Sequence, residues 1–300
     1  MDRRHFLLGM ASSLLVLRAQ SLHAVRSESS QEIPLWEGAP PGGGGPLGNA
    51  IVSGKGALHN ISQPSITRLR PTLPNGHAVL IAAGGGYKRI ELASEAWPAA
   101  RWLTARGYTA YILKYRLPGE GWQAGNLVAL QDAQRALRII RQHENQVSVL
   151  GFSAGGHLVG LAATRPDFQS YRPVDAYDKT LPVADRMALI YPIVTLEKPY
   201  QHTSAHRVLV GPGASDAADA AWSVQNFVTP HTPSTFLVQA EDDPVSNPQN
   251  TLIMASACKK AGVAVEMHRY AHGGHGFGMG KPGTPTAEWP DFYQSWLAQG

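Results

Sequence analysis

At 300 residues and 43% apolar content, the chain can bury a substantial core as one α/β domain, in preference to two small ones. Its formal charge is only +4, and removing residues 1–24, with Arg3, Arg4 and Arg18 against Asp2, leaves 23 basic and 21 acidic residues. So mild a balance, without a run of like charges, argues against nucleic acid or an anionic membrane as the main partner. The single Cys258 excludes an intramolecular disulfide, and its helical surroundings, Leu252 to Ala261, read as core.

The N-terminus reads as a targeting segment. Arg3-Arg4-His5-Phe6-Leu7-Leu8 sets paired arginines before an apolar run that fades at Leu17, too short to span a bilayer as a stable helix. Residues 1–24 are therefore expected to be a twin-arginine-type signal, cleaved after Ala24 or a few residues away; an uncleaved anchor is the alternative. The expected consequences are passage through the twin-arginine export machinery, a periplasmic or secreted location, and no stable membrane association after cleavage. Residues 25–48 include Pro40-Pro41-Gly42-Gly43-Gly44-Gly45-Pro46, too rich in Gly and Pro for a helix or central strand, and are expected to form a tether.

Residues 49–300 then alternate apolar runs with helical patterns. Strands are predicted over Ala78–Ala82 and Thr109–Leu113, with a helix between them from about Glu91 to Arg106 that puts Trp97, Ala100 and Leu103 on one face. A helix over Gln131–Arg141, with Ala133, Leu137 and Ile140 as its inner stripe, leads to a strand at Val147–Leu150. Further strands are predicted at Met187–Tyr191, Thr235–Gln239 and Val263–Tyr270, the last preceded by a helix over 249–261. Strands apolar throughout and separated by helices imply a mostly parallel sheet covered on both faces. Residues 194–232 lack periodicity and are expected to be a loop and short-helix insertion above it.

The segment Gly151-Phe152-Ser153-Ala154-Gly155-Gly156-His157-Leu158 contains Gly-x-Ser-x-Gly between a predicted strand and a predicted helix. In that setting the serine occupies the apex of a strand–turn–helix nucleophile elbow, and Gly151 and Gly155 relieve crowding that a Cβ would cause. A glycine-rich turn between two core elements is the competing reading. A serine nucleophile needs a base, a group to orient the base and an oxyanion site. The order expected is serine, acid, histidine, on loops after the later strands. Phe236–Gln239 runs into Glu241-Asp242-Asp243, where Asp243 is favoured as the acid over Asp242; a turn-capping Asp before Pro244 is the bland alternative. The last strand runs into Tyr270-Ala271-His272-Gly273-Gly274-His275-Gly276-Phe277-Gly278, where His275 is favoured over His272 as the base. His157 follows the elbow too closely to swing onto Ser153 and is expected to pack or hydrogen-bond below it.

Ala83-Gly84-Gly85-Gly86-Tyr87 follows an early strand, where an oxyanion loop is required, so the amides of Gly85, Gly86 and Ala154 are the expected donors. A phosphate cradle fails there because neither a Gly-x-Gly-x-x-Gly spacing nor Gly-Lys-Ser/Thr follows. His272 and His275 share a loop with no clustered further ligands, so metal binding is weakly supported.

Taken with Ile33-Pro34-Leu35-Trp36, Lys114-Tyr115-Arg116-Leu117-Pro118 and Asp132-Ala133-Gln134-Arg135-Ala136, these motifs resemble α/β-hydrolase-fold esterases, most closely the acetyl-xylan-esterase-like and feruloyl-esterase-like carbohydrate esterases, over roughly residues 33–298. The resemblance implies an α/β-hydrolase catalytic domain over 49–300, with Ser153 as nucleophile, Asp243 as acid and His275 as base. It also implies hydrolysis of short acyl esters, acetyl foremost, on a small-molecule or oligosaccharide substrate, and neither a metal nor an organic cofactor. The acid loop departs from the pattern, since Asp243 is followed by Pro244-Val245 where relatives carry Val-Pro. Tyr87, Trp97, Trp122 and Trp222 are candidate stacking faces for sugars, although Trp97 and Trp102 read better as packing residues. Rival expectations are a general carboxylesterase or serine peptidase of the same fold, or a catalytically silent carbohydrate-binding protein.

Overall fold

A computed structural model describes residues 30–299, so the expected signal of residues 1–24 lies outside the described residues. The strands are β1 (Ser30–Pro34), β2 (Ile51–Val52), β3 (Leu58–His59), β4 (Ser65–Leu69), β5 (His77–Ala82), β6 (Thr109–Lys114), β7 (Gln146–Phe152), β8 (Arg186–Ile190), β9 (Ser234–Ala240) and β10 (Val265–Tyr270). The α-helices are α1 (Trp97–Thr104), α2 (Val128–Arg141), α3 (Ala154–Thr164), α4 (Ser204–Leu209), α5 (Asp216–Ala221), α6 (Gln249–Lys260) and α7 (Trp289–Leu297).

Eight strands form one sheet in the order β1-β4-β6-β5-β7-β8-β9-β10, and β2 pairs with β3 as a separate ribbon. From β6 to β10 the strands are parallel, whereas β4 lies antiparallel to β6 and β1 antiparallel to β4. The expectation of a mostly parallel sheet with helices on both faces, the α/β-hydrolase arrangement, thus holds. The order also fixes where a site can form. The chain steps one way from β5 to β6, then back across β5 to β7, so right-handed crossovers put α1 on one face and α2 and α3 on the other. α7 joins α1 through stacking of Tyr293 on Trp102, ring centroids 5.8 Å apart. Where the direction reverses, the loops leaving β5 and β7 diverge at the carboxyl ends of their strands and leave a crevice between them.

Three differences from the sequence reading have physical causes. The expected tether is not a free linker over its described part. Residues 30–34 form β1, paired with β4 from Ser30↔Leu69 to Pro34↔Ser65, and the glycine run docks on residues 121–124 through Gly45 N–H to Gly121 O at 3.0 Å and Gln123 N–H to Gly43 O at 3.0 Å. The edge strands β1 and β4 were hard to read because one is mostly exposed and the other is short and interrupted by Ser65, Thr67 and Arg68. Helix α2 begins three residues earlier than expected, at Val128, and is buried nearly all round. A loop layer covers its polar side: Gln134 Nε2 donates to Phe168 O, Arg135 pairs with Asp175 and Asp178, and Arg138 Nε donates to Thr180 O.

The motifs behind the resemblance also acquire a structural reason. Arg116 and Asp132 form a fully buried ion pair with Nη2–Oδ1 at 2.9 Å, and the Trp36 indole N–H donates to the same carboxylate at 2.9 Å. A buried carboxylate with so many donors is well compensated, and removal of one partner would leave the other charge stranded. Cys258 is buried, as expected of a core thiol, with its Sγ 3.7 Å from Thr235 Oγ1.

Candidate active site

The elbow is built by its backbone. Ser153, between β7 and α3, has φ +51° and ψ −119°, a conformation costly for a residue with a Cβ and held here by Ser153 N–H to Ile190 O at 3.0 Å. A Cβ on Gly155 would lie 2.1 Å from Ala82 O, and one on Gly151 would lie 2.6 Å from Gly155 O, so both positions require glycine. The turn aims the Ser153 hydroxyl into a pocket of about 490 Å³ at the crevice.

Ser153, Asp243 and His275 meet there, although they are distant in sequence. His275 Nε2 lies 2.9 Å from Ser153 Oγ, and His275 Nδ1 lies 2.8 Å from Asp243 Oδ2. The only tautomer that uses both contacts has Nδ1–H donating to the carboxylate and Nε2 accepting from the hydroxyl. The Asp243 side chain is wholly buried, and its Oδ1 accepts from the backbone N–H groups of Val245 at 2.8 Å and Ser246 at 2.9 Å. Gln239, on β9, steadies the other oxygen at 3.0 Å. Asp242 does something else: its Oδ1 accepts from Gly273 N–H at 2.9 Å and Gly274 N–H at 2.7 Å, shaping the loop that carries His275. His272 is 80% exposed and lies 3.5 Å from Asp242, not beside Ser153.

Gly85, Gly86 and Ala154 all line the pocket next to Ser153. Ala154 opens α3, so its N–H has no acceptor one turn earlier and is free to face a ligand. Gly85 has φ +120°, and a Cβ there would lie 2.2 Å from Arg89 O, so the loop depends on glycine at this point. The loop is pinned on two sides. Tyr115 donates its hydroxyl to Ala83 O at 2.8 Å, and Ser204, at the start of α4, donates to Gly86 O at 2.9 Å.

Tyr87, Trp122 and Trp222, expected as substrate-stacking faces, do not line this pocket. Tyr87 is buried, and its hydroxyl is 2.8 Å from His157 Nδ1. His157 is itself fully buried, with Nε2 2.7 Å from Trp222 O, so it packs below the elbow as expected. Burial drives its pKa down to about 4, against the opposing bond to Trp222. Trp222 packs half-buried against the core, and Trp122 is covered by the glycine run, with the Arg116 guanidinium 4.9 Å from its ring centroid. Tyr87 and Trp122 are thus buried against an internal polar or cationic partner, and Trp222 lies half-buried against the core.

Sequence reasoning missed Glu95. It lies in the π-helical turn Leu92–Ala96 that precedes α1, lines the pocket and is 4% exposed. One carboxylate oxygen accepts from Gly84 N–H at 2.5 Å and the other from the Tyr191 hydroxyl at 2.9 Å. Burial pushes its pKa up to about 7, opposed by these two bonds and by the nearby His275. Tyr191 in turn accepts from Gly278 N–H at 3.0 Å and packs edge-on to the His275 ring, centroids 4.9 Å apart. No local signal marked either residue. The nearest hint is the polar Glu95 at an otherwise inward-facing position of a helical pattern.

The pocket mouth carries Lys88, Arg89 and Arg207, of which Arg89 pairs with Glu91 at 2.5 Å. Among the described residues, no group of three or more His, Cys, Asp or Glu side chains is arranged to hold a metal ion. No helix among them is long and apolar enough to cross a membrane.

The model of the prolyl oligopeptidase family matches residues 128–299, more than half of the chain, and this span contains Ser153, Asp243 and His275 but not the glycine loop. An acetylxylan esterase of Xylanibacter ruminicola is 30% identical over 223 residues, which cover 70% of this chain and 43% of that protein. An endo-1,4-β-xylanase B of Butyrivibrio fibrisolvens is 27% identical over 226 residues, covering 73% of this chain and 34% of its own length. The chain thus spans less than half of the curated relatives it matches. Among solved structures, the acetyl ester-xyloside bifunctional hydrolase of Caldicellulosiruptor lactoaceticus superposes with a TM-score of 0.74 at 30% identity, covering 89% of this chain and 95% of that one. With a family match running from α2 through the last helix, and a solved relative aligned over nearly its whole length, the chain belongs to the prolyl oligopeptidase family, among its α/β-hydrolase-fold, acetyl-xylan-esterase-like members.

Proposed function

We propose that the chain is a serine ester hydrolase that removes short acyl groups, acetyl foremost, from carbohydrate alcohols. The observation that carries this reading is the hydrogen-bonded chain Asp243–His275–Ser153, with contacts of 2.8 and 2.9 Å, opening on a pocket lined by Gly85, Gly86 and Ala154. In the first half-reaction, His275 Nε2 takes the Ser153 proton as Oγ attacks the ester carbonyl carbon. The Asp243 carboxylate holds the Nδ1–H tautomer and offsets the positive charge that forms on the ring. The amides of Gly85, Gly86 and Ala154 receive the developing oxyanion; one such donor is worth on the order of 10²–10³ in rate. His275 then gives its proton to the departing alcohol, leaving an acyl group on Ser153. In the second half-reaction, water activated by His275 attacks that acyl group, and the acid leaves.

Acetyl as the acyl group and xylan-derived carbohydrate as the alcohol are supported by the names of the relatives above, not by pocket shape. The family name makes peptide bonds the second reading. Acetate release from acetylated xylan, set beside ferulate release from a feruloyl ester and cleavage of a proline-containing tripeptide, separates the readings. Acetate is the expected product, and cleavage of the tripeptide alone would overturn the esterase reading. Export by the twin-arginine route belongs to the same proposal and rests on Arg3 and Arg4 before the apolar run. Replacing both with lysine is expected to retain the protein in the cytoplasm, and unimpaired export of that variant would refute this part.

A further inference from the structure

Glu95 is the one buried carboxyl in the pocket that the proposed acyl transfer does not use. Its position is unusual because both of its oxygens are engaged by donors from different loops. Oε2 takes Gly84 N–H, which belongs to the loop expected to bind the oxyanion. Oε1 takes the Tyr191 hydroxyl, whose own oxygen takes Gly278 N–H from the loop that carries His275. A single carboxylate therefore ties the oxyanion loop to the base loop across the floor of the site. Tyr191 has φ +37°, a conformation a bulky residue does not adopt without support, and it lies immediately after β8, with its N–H bonded to Val238 O at 2.7 Å.

We propose that Glu95 is a positioning residue for ester hydrolysis: its ionised carboxylate holds the Gly84–Gly86 loop and, through Tyr191, the His275 loop in register with Ser153. The inference rests on the esterase reading above and adds a control to the same site. Protonation would weaken the arrangement for a simple reason. Both bonds are donated to the carboxylate, and removing its charge weakens each of them and leaves an O–H that competes for the same space. The titratable groups around Glu95 are Glu91 from its own segment, Tyr115 from the segment after β6, Tyr191 from the segment after β8, and His275 from the loop after β10. Glu91 opposes the ionised form of Glu95, whereas a positively charged His275 favours it. The ionised carboxylate thus also favours the imidazolium that forms during acyl transfer.

Glu95→Gln keeps the volume and leaves an oxygen for Gly84 N–H, but it turns an N–H towards the Tyr191 hydroxyl. Steady-state hydrolysis of p-nitrophenyl acetate by this variant is expected to show kcat lowered roughly 10–100-fold with KM within about twofold, as for a misplaced catalytic group. The pH profile gives a readout that a merely structural role would not move. In the parent protein, the acid limb of kcat/KM is expected to include a fall near pH 7 that reports protonation of Glu95. In Glu95→Gln that contribution to the acid limb is expected to be absent. Tyr191→Phe is the second variant: it keeps the ring against His275 and removes one donor that holds the Glu95 pKa down, so the acid limb is expected to move to higher pH. An unchanged kcat and an unchanged acid limb in Glu95→Gln would overturn the inference, as would an unmoved limb in Tyr191→Phe should the first variant fail to fold. A parent protein that hydrolyses no ester removes the esterase reading itself; an active parent with unaffected variants removes only the role of Glu95.

Discussion

Two histidines approach the Ser153 segment, and their surroundings hold them in opposite tautomers. His275 arrives from 122 residues away, with a carboxylate on Nδ1 and the serine hydroxyl on Nε2, so the proton stays on Nδ1 and Nε2 is basic. His157 follows the serine by four residues, with a backbone carbonyl on Nε2 and a phenol on Nδ1, so the proton stays on Nε2 and Nδ1 accepts from Tyr87. A carbonyl can only accept, and this alone fixes the second assignment. His275 keeps 18% of its side chain open at the pocket, whereas His157 is sealed. The same imidazole therefore reads as a base in one place and a packing group in the other. Only partners and exposure distinguish them.

The largest expected effect breaks the first half of this contrast. His275→Ala is expected to lower kcat/KM for p-nitrophenyl acetate by about 10⁴–10⁶, in the range of triad removals elsewhere, with little change in melting temperature. Asp243→Asn should follow at about 10⁴, because an amide at this position would favour the wrong tautomer of His275. Circular dichroism would show whether the fold is kept in both variants.

The second half of the contrast is tested by acid. The pKa of His157 is about 4 in the folded protein against an ordinary value of 6.5. The unfolded chain therefore binds the proton more readily between those values. Stability from this group is fully present above about pH 6.5 and is lost as pH falls towards 4, by about 3 kcal/mol in all. Urea unfolding across that range measures it, and His157→Asn should flatten the dependence. A smaller effect is expected from Tyr87→Phe, which strips the donor from His157 Nδ1. About 1–3 kcal/mol of stability should be lost, with KM for acetate esters unchanged. A large rise in KM would restore Tyr87 as a substrate contact.

The contrast also shows which parts of the molecule were legible in the sequence. The elbow was readable because Gly151, Ser153 and Gly155 fall within five residues of chain, even though the atoms that demand Gly155 and hold Ser153 belong to Ala82 and Ile190. The strands β5 to β9 were readable because burial on both faces makes them continuously apolar. Asp243 and His275 could be placed because parallel topology delivers strand ends to one edge of the sheet, and Asp243 was favoured over Asp242 for its position three residues beyond Ala240. Glu95 offered no such handle. Its role depends on a π-helical turn and on Tyr191, 96 residues away, and neither leaves a pattern in the chain. The aromatics misled for a related reason. Tyr87 and Trp122 have faces suited to sugars, but Tyr87 is buried with its hydroxyl on His157 and Trp122 lies under Arg116, long-range pairings that composition does not reveal.

The most direct test of the central assignment is the site of covalent capture. A fluorophosphonate reacts preferentially with an activated serine, and peptide mapping by mass spectrometry locates the adduct. Stoichiometric modification of the peptide bearing Ser153, absent in Ser153→Ala and strongly slowed in His275→Ala, is the predicted result. An adduct on another residue, or Ser153→Ala protein that still hydrolyses p-nitrophenyl acetate at the parent rate, would contradict it.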